Sequence, residues 1–226
     1  TSSSSTAIQS IQMIFDPDTN YILSTMYADD GVAAVGTTEL STTHGIAASK
    51  TIDTIYDTTS NRFVTVYADS GNSNYGTAVV HYISNTATGA TTYGTPVVFA
   101  GVEVGNNEKA RLSLDTNTSR VVIAYRDGSN AHGKAIVGAV TAGTNAISFG
   151  TAVTYADESQ QIQTIVEDPN TNKQAIFYMA QDNGKRGFGI VGTVTGGTDN
   201  SISFGTAVEF NGTDTQEIAA AYSPDT

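Results

Sequence analysis

The pattern with the clearest potential for chemistry is a tyrosine followed two positions later by an aspartate, with a looser copy near the end of the chain. Its aspartates are Asp29, Asp69, Asp127 and Asp182. Carboxylates on one face of a repeat protein could hold Ca²⁺ or bind a sugar. An aspartate at a strand end also commonly accepts hydrogen bonds from turn amides. Recurrence in every repeat favours the structural interpretation, and we keep the four residues as candidate ligand-binding residues.

Turns that begin with an acidic residue offer a second calcium hypothesis. Asp16 with Asp18, and Asp168 with Asn170, resemble the start of a calcium loop. Neither turn has the central glycine and the distal glutamate of an EF-hand, and five residues offer few of the six or more oxygens that Ca²⁺ takes. We therefore interpret them as solvated turns and expect no cofactor, with Ca²⁺ as the one metal alternative.

Two further candidates for ligand binding lie in equivalent loops. Lys185 and Arg186 form the only adjacent basic pair, which could anchor an acidic glycan or a neighbouring subunit on an anionic protein. The structural interpretation is a solvated loop tip. Tyr75 ends the equivalent loop of an earlier repeat and is the one aromatic there that could serve a lectin.

The sequence does not favour an enzyme. His44, His81 and His132 fall out of phase with the repeat and have no metal-ligand spacing, and no Gly-x-Ser-x-Gly motif marks a nucleophile. The absence of cysteine excludes thiol nucleophiles, disulfides and cysteine-bound zinc, and the absence of tryptophan excludes the Asp-box of sialidases. A polysaccharide-active hydrolase remains the enzymatic alternative.

Basic residues are few and dispersed. Arg62, Arg120 and Lys173 share one position in the repeat, and we interpret them as edge or turn charges that discourage pairing at sheet edges. The chain has 226 residues, with 22 acidic and 10 basic side chains and a net charge of -12. Because a phosphate backbone is recognised by clustered Lys and Arg, we expect no nucleic-acid partner.

No apolar run approaches the roughly 18 residues of a membrane helix, so we expect no membrane insertion.

These candidates are positioned by an internal repeat of about 55 residues. Four landmarks keep their order: the acidic turn, the Tyr-x-Asp segment, a run opened by glycine, and an aromatic-Gly-Thr run such as those at Tyr93, Phe149 and Phe204. They divide the chain into a short unit 1 (8–45), full units 2 (46–101), 3 (102–157) and 4 (158–212), and the start of a further unit (213–226).

Each unit is predicted to contain four strands, a to d. Strand a leads into the acidic turn, strand b follows it, strand c opens at the glycine, and strand d is the aromatic-Gly-Thr run. The nearly continuous apolar runs at 62–67 and 120–125 predict b strands that are covered on both faces. Repeated four-stranded antiparallel units are typical of β-propeller blades. We expect an all-β, propeller-like array that is a piece of a longer one; a closed ring and an open linear array are the alternatives.

The run from residue 121 to 153 is similar to tandem repeats in large proteins of marine bacteria and their tailed phages, and the resemblance extends over residues 8–226. It implies a virion or cell-surface protein with propeller-like repeats, and carries no catalytic motif. We therefore expect a non-catalytic tail or fibre component that contacts other protein subunits or a host surface. The alternative is a secreted or cell-surface bacterial adhesin that binds glycans.

Overall fold

The computed structural model describes residues 8–28, 33–37, 48–87, 90–104 and 110–224. The described chain is all-β, every paired strand is antiparallel to its neighbour, and its one helical element is a three-residue 3-10 turn at Ser70–Asn72. The strands form three hydrogen-bonded sheets, and no closed barrel or propeller is detected among them.

The seventeen strands of the described residues can be assigned to the predicted units. Unit 1 holds β1 (Ile8–Asp16), β2 (Tyr21–Ala28) and β3 (Ala33–Thr37); unit 2 holds β4 (Ala48–Asp57), β5 (Arg62–Asp69), β6 (Tyr75–Asn85), β7 (Ala90–Tyr93) and β8 (Val97–Glu103). Unit 3 holds β9 (Arg111–Asp115), β10 (Arg120–Arg126), β11 (His132–Thr141) and β12 (Ala146–Phe149). Then come β13 (Val153–Asp168), β14 (Lys173–Ala180), β15 (Arg186–Thr195), β16 (Ser201–Phe204) and β17 (Val208–Asn211).

The long strand β13 joins units 3 and 4. Its first half pairs with β11 as the last strand of unit 3, and its second half pairs with β14 as strand a of unit 4. The predicted boundary between residues 157 and 158 therefore falls inside one strand. The predicted start of a further unit, from residue 213, contains no strand in its described part.

Strand d differs from the prediction, because it is two short strands rather than one. The chain leaves the sheet at the Gly-Thr pair, and the pieces before and after it both pair with strand c: β7 and β8 with β6, β12 and β13 with β11, β16 and β17 with β15. The glycine amide anchors each bend by donating to a strand c carbonyl, as from Gly150 to Val137 at 3.0 Å.

The glycine that opens strand c makes room for an aromatic ring of strand d. A Cβ atom at Gly76 would lie 2.6 Å from the ring of Phe99, and one at Gly133 would lie 2.5 Å from that of Tyr155. Gly187 has the same relation to Phe210. Two landmarks of the repeat therefore pack against each other: the glycine that opens strand c, and the aromatic residue that ends the aromatic-Gly-Thr run.

Each full unit presents two faces. The front face lies toward the next unit in units 2 and 3, and in unit 2 it carries Val64 and Val66 of β5 with Ala78 and Val80 of β6. The back face lies toward the preceding unit. The unit 2 front packs in one buried cluster with the unit 3 back, which carries Leu112, Leu114, Val121 and Ile123. The unit 3 front packs in the same way on the unit 4 back. Strand β10 is thus covered on both faces, which confirms the prediction from its apolar run.

Candidate functional site

The carboxylate of Asp127 belongs to the turn that follows strand b. It accepts hydrogen bonds from the amide of Ser129 at 2.8 Å and its hydroxyl at 2.5 Å, and it forms an ion pair with Lys134 at 2.5 Å. Burial by itself would raise the pKa of Asp127, but the bonds from Lys134 and Ser129 lower it below the ordinary value. Its oxygens are thus held by the protein's own donors.

Asp69 and Asp182 also lie at or just after the end of strand b, and each accepts one hydrogen bond from a backbone amide. Asp69 accepts a hydrogen bond from the amide of Gly71 at 2.9 Å, and the register places Tyr75 opposite Asp69. Asp182 is exposed and accepts a 3.3 Å bond from the amide of Ser159. Asp29 lies outside the described residues. Ligand binding by these four residues stays a prediction.

The basic pair of unit 4 lies in the same turn as Asp182. Lys185 is exposed and has a positive φ of 57°, whereas Arg186 is exposed and pairs with Glu209 at 3.0 Å. The structure therefore brings Asp182, Lys185 and Arg186 to one loop, and places Tyr75 and Asp69 at the equivalent loop of unit 2.

The acidic turns between strands a and b use their carboxylates in a repeated manner. Asp57 accepts bonds from the Thr59 amide at 2.9 Å and the Ser60 hydroxyl at 2.6 Å. Asp16 makes equivalent bonds, and so does Asp168, whose pKa is lowered chiefly by the Thr171 hydroxyl. Among the described residues, no group of three or more His, Asp or Glu side chains is arranged to hold a metal ion.

The histidines are dispersed. His81 is fully buried, stacks on Tyr93 at 5.1 Å between ring centres, and shares a 2.8 Å hydrogen bond with Thr65. In units 3 and 4 its position opposite the aromatic residue is filled by Gly138 and Gly192. His132 is half-buried, and His44 lies outside the described residues.

The tyrosines of the Tyr-x-Asp pattern lie in the junctions between units. The ring centres of Tyr125 and Phe99 of the preceding unit are 5.4 Å apart, and those of Tyr178 and Tyr155 are 5.5 Å apart. Burial, with Asp127 nearby, raises the pKa of Tyr125 to about 12. Burial, with Glu158 and Asp157 nearby, does the same for Tyr178. In units 3 and 4 the motif thus contributes a packed, uncharged ring and a carboxylate after strand b.

Of the two predicted roles for the dispersed basic residues, the arginines fit the turn role, because each donates to carbonyls of its own acidic turn. The sheet-edge role is wrong for them, since β5 and β10 each pair with a strand on both sides. Arg62 donates to the Asn145 side chain at 2.6 Å and to the Ala142 carbonyl at 2.9 Å, both in the hairpin between strands c and d of the next unit. Arg120 makes the equivalent bonds to Asn200 and Gly197 of unit 4 at 2.7 and 3.1 Å. We call these bonds the arginine clamp. No local pattern in the sequence indicates it, because each arginine and its partners are 77 to 83 residues apart.

Other residues occupy the position of the clamp arginine in the first and last units. In unit 1 the hydroxyl of Tyr21 donates to the carbonyl of Thr86, in the hairpin of unit 2. In unit 4 the ammonium of Lys173 instead bonds the Thr193 hydroxyl of its own unit at 2.7 Å.

Polar bonds also cross the apolar junctions. The amide of Leu112 in unit 3 donates to the buried carboxylate of Asp53 in unit 2 at 2.8 Å. The side chain of Gln163 in unit 4 donates to the carbonyl of Ala124 in unit 3 at 2.8 Å. Such bonds fix the register of one unit on the next, since sliding would leave buried polar groups unsatisfied.

The front face of unit 4 is the largest departure from this pattern. Val191, Val208 and Phe210 are 49%, 68% and 52% exposed, whereas the equivalents of Val191 in units 2 and 3, Val80 and Val137, are fully buried. The exposed side chains border an open cavity of about 270 Å³ lined almost entirely by apolar residues. An apolar patch of this kind on a protein surface is typical of an interaction site.

The back face of unit 1 is exposed in the same way. Met13, Phe15 and Ile22 are 67%, 53% and 37% exposed. Their equivalents in unit 3 are Leu112, Leu114 and Val121, which are buried against the front face of unit 2. We call these two surfaces the unit 4 front and the unit 1 back. Sequence reasoning missed both, although the repeat itself marked their residues as junction residues.

Neither comparison with protein-family models nor comparison with curated proteins gives a match for this chain. Within the described residues, no helix is long and apolar enough to cross a membrane.

Proposed function

We propose that this chain is a non-catalytic structural module, a propeller-like array of blades that acts by assembling with other protein subunits. The observation that carries the proposal is the unit 4 front, where Val191, Val208 and Phe210 are exposed. The internal junctions bury the equivalents of Val191 and Phe210 and partly bury those of Val208. A surface of this composition favours contact with another protein, because association would remove its apolar area from water.

The state of the polar candidates also supports a structural role. The carboxylates of Asp127 and Asp57 accept several hydrogen bonds within their own turns, and Arg62 and Arg120 join one unit to the next. These side chains serve the fold itself. The repeat of about 55 residues suits blades that cover one another's faces.

A virion is the setting that we propose for this assembly, as part of a tail or fibre. The resemblance of the repeat to those of tailed phages supports this setting, and the high net negative charge suits a protein exposed outside the cell. Coding neighbours that specify virion-assembly proteins would support it. A secretion signal with a cell-wall sorting segment on the full-length protein would contradict it.

Glycan binding by an adhesin is the second candidate, favoured by one observation. Asp182 and Lys185 are exposed in the turn between β14 and β15, and the next residue, Arg186, is exposed at the start of β15. Such a loop offers both donors and acceptors to a sugar.

Sedimentation velocity over a range of concentrations separates the two candidates. We expect the chain to self-associate and Phe210→Glu to weaken this association. The control Val98→Glu adds the same charge at an exposed apolar residue outside the unit 4 front and should leave the association unchanged. A chain that stays monomeric throughout would contradict the assembly role. Binding on a glycan array that is lost in Lys185→Ala/Arg186→Ala would establish the adhesin instead.

A further inference from the structure

We propose that the unit 4 front of one chain binds the unit 1 back of a second copy, so that copies join head to tail. This inference rests on the proposed assembly role and names its partner. The interface would repeat the junctions inside the chain, in which a front face always meets a back face.

The two open surfaces have the composition of the two sides of a junction. On the front side, Val191 and Phe210 stand where Val80 and Phe99 stand in unit 2, and those residues are buried against unit 3. On the back side, Met13 and Phe15 stand where Leu112 and Leu114 stand in unit 3. Each open residue therefore has an equivalent that is already engaged in the contact that we propose.

The aromatic ring of strand d is covered by a neighbouring unit in unit 2 and is uncovered in unit 4. Phe99 is 7% exposed because Tyr125 and other residues of unit 3 cover it, whereas Phe210 is half exposed and contacts Phe177 of its own sheet at 6.0 Å. A back face laid on unit 4 would cover Phe210 with apolar side chains, as unit 3 covers Phe99.

The hairpin contact of the front face is open as well. In unit 2 a Cβ atom at Gly94 would lie 1.8 Å from the carbonyl oxygen of Asn145, and in unit 3 one at Gly150 would lie 2.1 Å from that of Asn200. The equivalent Gly205 meets nothing closer than a strand carbonyl of its own unit at 3.8 Å. The backbone at Gly205 thus lacks the close contact that the internal junctions make at this position.

A second copy is a better occupant of the unit 4 front than a strand formed by the residues that follow unit 4 in this chain. Residues 216–222 match strand a of the other units in sequence, since Ser223 and Pro224 stand where Asp168 and Pro169 begin an acidic turn. They form no strand, and unit 1 already brings its own strand a, β1. The proposed contact therefore does not need residues 216–222.

The geometry makes the interface heterologous, because the two partners contribute different surfaces. A substitution on one face leaves the other face intact. This property allows a complementation experiment with Phe210→Glu on the front and Phe15→Glu on the back, since both side chains are about half exposed and each substitution adds one negative charge. Val98→Glu, on a surface outside both faces, is the matched control.

We expect Phe210→Glu and Phe15→Glu each to weaken self-association about 30-fold or more in sedimentation velocity, the effect of losing one hot-spot residue. An equal mixture of the two variants, one of them labelled with a fluorophore, should form dimers and nothing larger. The wild-type chain and Val98→Glu should form longer species. Circular dichroism and thermal melting check that each variant is folded.

The outcomes separate this inference from the proposed function. If the wild-type chain associates but the mixture forms no dimer, or either variant alone associates as the wild type does, the head-to-tail interface is wrong and the assembly role stands. If the wild-type chain is monomeric, both fail. Ala219→Pro, which prevents residues 216–222 from pairing as a strand, should leave association unchanged; its loss would assign the contact to that segment instead.

Discussion

One kind of sheet face occurs in two environments in this molecule. In unit 2 the front face lies against unit 3 and is buried, whereas the unit 4 front lies open to water. The two faces share the ring over a glycine, Phe99 over Gly76 and Phe210 over Gly187. The local structure of a front face is therefore present without a unit covering it, and what the covering unit adds is burial and the clamp.

This comparison distinguishes the stability of a unit from that of a junction. In repeat architectures, total stability is approximately the sum of the units and the contacts between neighbours. Matched substitutions in the covered and the open face measure the junction contribution directly, because the sequence and the local packing are nearly the same at both positions.

The largest difference is expected at the ring of strand d. Phe99→Ala should lower the free energy of unfolding by about 3–5 kcal/mol, because it leaves a cavity at a buried junction. Phe210→Ala should cost about 1 kcal/mol, since that ring is half exposed. Urea denaturation at concentrations where the chain is monomeric measures both. Similar costs for the two would mean that the ring stabilises its own unit rather than the junction.

The glycine of the aromatic-Gly-Thr run gives the next largest difference. Gly150→Ala should destabilise the chain by about 2–3 kcal/mol, because the added methyl would meet the carbonyl oxygen of Asn200, which is backbone and cannot turn aside. Gly205→Ala, at the open face, should change stability by less than about 0.5 kcal/mol. Thermal melts of the two variants check this, and a loss at Gly205 equal to that at Gly150 would contradict it.

The arginine clamp allows the covered and the open front faces to be compared at a polar contact. Arg120→Ala should cost about 2 kcal/mol, because it removes the bonds to Asn200 and Gly197 and leaves their oxygens without this donor. Lys173→Ala, at the same position of unit 4, should cost less than about 0.5 kcal/mol.

A double-mutant cycle tests the clamp itself. Arg120→Ala combined with Asn200→Ala should show a coupling energy of about 1 kcal/mol. Additive effects of the two substitutions would mean that the bond seen between these side chains contributes nothing to the junction.

Several features of the fold could be predicted from residues, and others could not. The repeat, strands a to c and the two-sided burial of β10 follow from landmarks that lie close together in sequence. The break in strand d could not be predicted, because Gly-Thr is compatible with a strand until its pairing with strand c is known. The role of Arg62 depends on Asn145, and neither side chain carries a local signal of the other.

The candidate site shows the same division. A turn function for Asp127 was the favoured interpretation, because a short polar side chain at a strand end has amides within reach. The unit 4 front could not be separated from a buried junction by composition, since Phe210 and Val191 belong to the same motifs as Tyr155 and Val137. Only the presence or absence of a covering unit distinguishes them.

The smallest expected effect concerns the carboxylates of the Tyr-x-Asp turns, buried in unit 3 and exposed in unit 4. At neutral pH, Asp127→Asn should cost about 1–2 kcal/mol, because it removes the ion pair with Lys134 in a site where the aspartate is almost fully buried. Asp182→Asn should cost less than about 0.5 kcal/mol, since that carboxylate is exposed and accepts one long bond.

The pH dependence gives this difference a sign. The fold lowers the pKa of Asp127 below that of an unfolded aspartate, about 3.9, so the folded state binds its proton less readily. The stabilisation is therefore fully present above the unfolded pKa and is lost as the pH falls through the lower folded pKa. Urea titrations of the wild type and Asp127→Asn should begin to converge as the pH falls below about 4 and should coincide only below the lowered folded pKa. Curves that stay apart in acid would show that the cost arises from lost turn geometry rather than from charge.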